Sequence, residues 1–192
     1  MPPTRAATTA VPPPANTDLK AFQPPNPYAA LGLAVSHLMT KPAFAHLRFG
    51  DWSRILTGQI NRKHYCFAVD GNNQIQGFLG WALASKEHAE AWVEGRGALS
   101  SADSRDGDCV ILNAWAASTP EANRFLLLQA RKVIDGKDTV YFKRHYKDGS
   151  TRPVRLRVND FVARHLAREP AATLADEPAP PIATDRPSLQ NA

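Results

Sequence analysis

Cysteine is nearly absent from this chain, and so is any spacing that would give it chemistry. Cys66 and Cys109 stand apart in apolar runs rather than as a C-x-x-C pair, which leaves metal binding and disulfide redox chemistry without support. Both read as buried free thiols. Long apolar runs are lacking too. The start Met1-Pro2-Pro3-Thr4-Arg5 has no apolar core of signal-peptide length, and no run approaches the roughly 20 apolar residues of a membrane span. The expectation is a soluble, cytoplasmic protein with no bound cofactor or metal.

Proline is plentiful but unevenly placed. Of the 16 prolines, eight precede Tyr28 and five follow Arg168, in ends otherwise rich in Ala, Thr, Asn and Asp. Such segments offer too little apolar surface to offset the entropy of ordering them. Residues 1–27 and 169–192 therefore read as disordered tails, the second acidic, around one folded domain over residues 28–168.

The centre of that domain reads as a hairpin. Tyr65–Val69 and Gly77–Leu83 are β-rich apolar runs joined through Asp70-Gly71-Asn72-Asn73, whose residues tolerate the positive φ of tight turns. Leu31, Val35, Leu38 and Met39 fall at helical spacing before it, and Trp52, Ile55, Leu56 and Ile60 form a second helical face with Asp51 as its expected N-cap. Ser85 to Val93 reads as a third helix stopped by Gly95 and Gly97, and residues 98–108 as a polar loop over the site. Val110–Trp115 is a third strand, and Ser118-Thr119-Pro120-Glu121 opens a fourth helix carrying Phe125, Leu126, Leu128 and Val133. A second hairpin turns at Asp148-Gly149, and Asn159 is the expected cap of a last helix through Leu166. The order α-α-β-β-α-β-α-β-β-α implies an α/β (α+β) layer with a mixed sheet.

The net charge is +5, and the basic residues concentrate in Lys143-Arg144-His145-Tyr146-Lys147 and Arg152-Pro153-Val154-Arg155-Leu156-Arg157. A basic hairpin suits nucleic-acid phosphates, an acidic protein, or plain solvation.

Three fragments carry a resemblance: Ala30-Leu31-Gly32-Leu33-Ala34-Val35 followed by Leu38-Met39, then Gly58-Gln59-Ile60 before a Tyr-led strand, then Gly80-Trp81-Ala82. Together they resemble the RTX toxin-activating lysine-acyltransferases over residues 29–158. In that family a leading helix precedes a Ser-Pro-x-His segment, a Gln-x-Tyr strand start, a Ser-Trp-Ala strand and an Asp-Trp-Ile-Ala-Pro strand end. The resemblance implies a GNAT-like fold with a largely antiparallel sheet, a cytoplasmic enzyme, and fatty acyl transfer from acyl carrier protein to internal lysines of an RTX-type protoxin. Acyl-loaded carrier protein is then the donor substrate, the basic hairpin residues Lys143, Arg144, Arg152, Arg155 and Arg157 its docking surface, and nucleic acid the less favoured partner; a homodimer is left open.

Two departures from the family stand out. Its histidine follows proline by two residues, whereas His46 follows Pro42 by four and a gapless match places Ala45 there; a one-residue loop shift aligns His46. Its aspartate corresponds to Asn113, because Asn113-Ala114-Trp115-Ala116-Ala117 lies over Asp-Trp-Ile-Ala-Pro. A lysine amine with an unperturbed pKa of ~10.4 needs a base to become a nucleophile, and histidine at ~6.5 is suited to that transfer. His46 is the first candidate and His64, at a strand mouth, the second; His37 reads as a partly exposed helix residue. Asn113 cannot act as a base, but its amide can donate to an oxyanion or orient an imidazole. Trp81 and Trp115 are either walls of an acyl channel or core. The alternatives are an acyl-CoA-dependent acetyltransferase, which the glycine-free Ala116-Ala117-Ser118-Thr119-Pro120-Glu121 turn disfavours, and a catalytically impaired binding module using the basic hairpin.

Overall fold

The Asp70 carboxylate organises the central hairpin. It accepts hydrogen bonds from the backbone N–H of Asn72 and of Gln74, each at 2.9 Å, and from the Gln76 side chain at 2.8 Å, while Asn73 takes φ +59°. The turn chemistry thereby fixes the register of β2 (Tyr65–Val69) against β3 (Ile75–Ala84), with Phe67 opposite Phe78. The computed structural model describes residues 18–45, 47–146 and 150–159. The expected final helix, the Asp148-Gly149 turn, the acidic end and His46 lie outside the described residues.

Among the described residues six strands form one sheet in chain order. β1 (Lys20–Phe22) pairs antiparallel with β2, inside the stretch expected to be a tail. The folded part thus begins before residue 28. Proline-rich composition hid three residues that need only one neighbouring strand, and the Gln23 side chain fastens them by donating to the carbonyls of Lys63 and Tyr65. β4 (Cys109–Ala117) pairs antiparallel with β3, and β6 (Thr151–Arg157) with β5 (Thr139–His145). The pairing of β4 with β5 is parallel, which requires a crossover, and α5 (Pro120–Ile134) supplies it. The architecture is α+β, a mostly antiparallel mixed sheet flanked by helices.

Helices cover both faces. α1 (Pro27–Leu38) starts where Asn26 accepts from the N–H groups of Tyr28 and Ala29 and Pro27 needs no acceptor. Its buried residues are Ala30, Ala34, His37 and Leu38; of the expected face, Leu38 is buried, Leu31 and Val35 pack against the same core, and Met39 is exposed. Small alanines let α1 approach the sheet closely, which the larger apolar residues concealed in the sequence. The short α2 (Pro42–Ala45) follows. α3 (Phe49–Arg62) begins two residues before Asp51, with Arg48 at the N-cap position; Asp51 sits in the first turn, where its charge still suits the helix dipole. Trp52, Leu56, Gln59 and Ile60 face inward, and Ile55 is exposed. α4 (Lys86–Val93), capped by Ser85, packs Ala89 and Val93 on Ala82, Ala84, Cys109 and Ile111. α5 packs Leu126, Ala130 and Ile134 on Leu79, Val110 and Val140 across the other face.

One irregularity positions everything that follows. Gly80 pairs with Ala114 and Trp81 with Leu112, so Asn113 is the extra residue of a β-bulge in β4. A bulge bends its strand and re-aims side chains. Accordingly Ile111 joins the α4 side of the sheet and Ala114 the side covered by α1 and α3, on the same face despite their odd separation. Gly80 opposite the bulge has no Cβ because the Gln59 amide occupies that space. We expect Gly80→Ala to destabilise the fold by about 1–3 kcal/mol through overpacking. Urea unfolding of Gly80→Ala, Gln59→Ala and the double variant should show that removing Gln59 largely cancels the cost of the methyl group.

Candidate active site

Beyond the bulge, β4 and β5 part. Their rungs run from Cys109 with Thr139 to Leu112 with Phe142 and then stop, although β5 continues beside β6 to His145. The gap holds an apolar cleft of about 500 Å³ whose walls include Phe44, Leu47, Leu112, Trp115, Leu127 and Ala130. That size lies in the ordinary range for small-molecule sites. A second, more polar cleft of about 580 Å³ lies between α3, α4 and the loop over residues 98–104, with Asp51, Arg54, Arg62, Trp92 and Ser104 among its walls. The polar loop thus lines this second cleft. Asn113 belongs to both clefts.

The Asn113 side chain is held from the helix side. Gln59, fully buried, donates through Nε2 to Asn113 Oδ1. Gln59 Oε1 is itself buried and has no hydrogen-bond partner among the described residues. Gln59 was not singled out for a functional role in the sequence, yet two signals pointed to it: an amide at a core-facing helical position, and a glycine inside an apolar strand facing it.

The other candidates separate. His46 lies outside the described residues, but its neighbours Phe44 and Leu47 line the apolar cleft. His64 lines neither cleft; its ring stacks on Trp81 with centroids 5.8 Å apart, and Nδ1 is buried without a partner. Burial, with the Arg62 charge adding to it, holds its pKa below the usual histidine value. Of the two candidate tryptophans only Trp115 walls the apolar cleft; it also donates through Nε1 to Asn123 at 2.8 Å. His37, expected to be partly exposed, is buried at 8 % exposure beside the C-terminal part of β4. Its pKa is lowered, mainly by burial and then by the Lys41 charge, against a hydrogen bond to the Ala116 backbone.

The basic hairpin divides by strand alternation. Arg155 is committed to α4, with Nε 2.8 Å from Glu90 and Nη2 2.8 Å from Glu94. Glu90 also accepts from the buried Tyr141 hydroxyl at 2.9 Å. Arg144 and Arg152 sit opposite each other and both lie against the Tyr146 ring, at 5.2 and 5.4 Å. Lys143 lines the apolar cleft with its ammonium 4.7 Å from the Trp92 ring centre. Arg157 stands exposed at the far end, opposite Thr139. The five cations do not form one free surface.

No protein-family model matches this chain, and no curated protein does. The site must therefore be read from its own geometry. Among the described residues no group of three His, Cys, Asp or Glu side chains lies together as a metal site. No helix among them is long and apolar enough to cross a membrane. What the arrangement offers is an apolar compartment and a polar compartment meeting at one amide.

The buried His37 and the half-buried His64 give a pH signature. With folded pKa values below the unfolded ~6.5, the unfolded chain binds more protons as pH falls, so stability is lost on acidification below about pH 6.5. The lowered carboxylates of Asp70, Glu90, Asp103 and Glu121 act only at lower pH, near their unfolded pKa of about 4. Urea unfolding at pH 5.5 and 7.5 should show lower stability at pH 5.5, and the His37→Asn/His64→Asn double variant should show a smaller difference.

Proposed function

We propose that this protein is a lysine acyltransferase that moves a fatty acyl chain from acyl carrier protein to internal lysines of an RTX-type protoxin in the cytoplasm. The observation that carries this reading is the meeting of an apolar and a polar cleft at Asn113, the residue matching the family aspartate. An acyl thioester has two unlike ends. Its chain suits the apolar cleft, its carbonyl falls at the junction, and the polar cleft admits a lysine. The mostly antiparallel sheet flanked by helices supports the GNAT-like layout that the resemblance implies.

His46 is the base in this proposal, since Phe44 and Leu47, close to it in the chain, line the acyl cleft. It accepts the proton that the attacking amine loses, and a neutral imidazole is suited to that step near neutral pH. His64 is the weaker choice because it lines neither cleft.

The N-terminus of α5 supports a carrier-protein donor over acyl-CoA. Thr119 Oγ1 already accepts from the Ala122 N–H, Pro120 has no N–H, and the Glu121 carboxylate is held below the usual range by its own backbone N–H and the Thr119 side chain. A pyrophosphate would meet spent amides and a negative charge. Acyl carrier protein then docks on Arg144 and Arg152, with Arg155 excluded by its carboxylate partners and Lys143 turned to the other face of its strand, against Trp92.

Two experiments test this. Intact-mass measurement of an RTX protoxin co-expressed with the protein should show long-chain increments, which His46→Ala should abolish without unfolding the enzyme. In purified form, acyl carrier protein should serve as donor far better than acyl-CoA; no increment with any donor overturns the proposal. In the second, Arg144→Glu/Arg152→Glu should slow transfer about tenfold or more at low salt and by less at high salt. Arg155→Glu should instead lower thermal stability, because it sets a carboxylate against Glu90 and Glu94.

A further inference from the structure

We infer that Asn113 and Lys143 together form an oxyanion-binding pair at the junction of the two clefts, with Gln59 as the residue that positions Asn113. This deepens the acyl-transfer reading and rests on it.

The Asn113 amide has an acceptor end and a donor end. Gln59 takes the acceptor end by donating to Oδ1, and Gln59 cannot move away, because it is fully buried in the space that Gly80 leaves open. The group left for a ligand at the junction is therefore the Nδ2 amide, a donor. An aspartate here would present only acceptors, so the exchange of carboxylate for amide changes what the position can do. It removes a partner for a base and supplies a partner for a developing negative charge.

Lys143 comes to the same place from the facing strand. Leu112 and Phe142 are the last paired residues of β4 and β5, and Asn113 and Lys143 are the next on each. Lys143 lines the apolar cleft, while the Trp92 ring beneath its ammonium is a wall of the polar cleft that Asn113 also lines. No carboxylate among the described residues pairs with this ammonium. Burial lowers its pKa, as expected for a cation held against an apolar wall.

The chemistry this pair serves balances without a cofactor. The lysine nitrogen of the protoxin attacks the thioester carbonyl carbon, a C–N bond forms, and the carbonyl π pair moves onto oxygen. Asn113 Nδ2 and the Lys143 ammonium hold that oxyanion. Its collapse breaks the C–S bond, and the proton released by the amine ends on the departing carrier thiolate, giving an amide and a free thiol. Donors placed where charge develops are worth about 10²–10³ in kcat each.

Two readouts test the pair. In the acylation assay, Lys143→Met and Asn113→Leu should each lower kcat about 100-fold, and Asn113→Asp should lower it as well, since a carboxylate repels the oxyanion. Gln59→Met should lower kcat about tenfold with KM for the carrier unchanged, the mark of a group that acts through another. Binding is measured separately from catalysis, by isothermal titration calorimetry, with dodecanoate and dodecanol as probes. Wild-type protein should prefer the carboxylate about tenfold, and Lys143→Met, or Lys143→Gln should the first fail to fold, should lose that preference. Loss of preference together with absence of acylation by any donor would retain the oxygen-binding pair and remove the transferase reading. Active enzyme whose kcat is unchanged in Lys143→Met, or raised in Asn113→Asp, would overturn the pair and leave the transferase reading standing.

Discussion

The hydrogen bond from Gln59 to Asn113 joins helix α3 to the sheet where β4 departs from regular pairing, and much else follows from keeping it. A buried amide that loses its partner costs about 1–3 kcal/mol, so Gln59 and Asn113 constrain each other. Gln59 needs room beside the sheet, which only a glycine at position 80 provides. Asn113 must turn toward Gln59, which the bulge accomplishes. The same bulge bends β4 away from β5 and opens the apolar cleft. Site and scaffold are thus one arrangement: a single extra residue in one strand aims the amide and makes the cavity beside it.

Electrostatics around this arrangement are sorted by burial. The imidazoles of His37 and His64 are both pressed toward the neutral form by desolvation, and among the described residues neither has a carboxylate neighbour to counter it. The hairpin cations show the opposite situation. Arg155 keeps its charge through two carboxylates of α4 and so ties the β5–β6 hairpin to that helix, leaving Arg144 and Arg152 to stack on an aromatic ring. One run of basic residues in the sequence thereby serves two purposes, one structural and one facing outward, decided by which side of the strand each residue occupies.

The hairpins, the order of elements from α1 to β6 apart from the short α2, and the helix starts at Ser85 and within Ser118–Glu121 are legible in the sequence, because turn and helix-start chemistry is local. β1 was not, since three residues among prolines carry no periodic signal and owe their strand form to β2. On α1 the spacing marks Leu31, Val35 and Leu38 but not Ala30 and Ala34, which share the core face, because alanine is a weak marker of hydrophobicity. Asn113 was found through a motif, but its bulge was not, as register depends on the partner strand. The fragments Gly58-Gln59-Ile60, Gly80-Trp81-Ala82 and Asn113-Ala114-Trp115, scattered along the chain, meet at one point through Gln59, Gly80 and Asn113. Their convergence is a property of the fold, and no spacing in the sequence expresses it.

A cavity made by parting two strands differs from one made between helices. Its rims are lengths of polypeptide whose next rungs are missing, from Asn113 along β4 and from Lys143 along β5. Peptide N–H and C=O groups belong to every residue there, whatever its side chain. Substitutions of Leu112, Trp115 or Leu127 can therefore reshape the cavity, but they leave the peptide character of its rims intact. Side-chain changes there alter the volume of the cavity, while its outline stays set by the two strands that frame it.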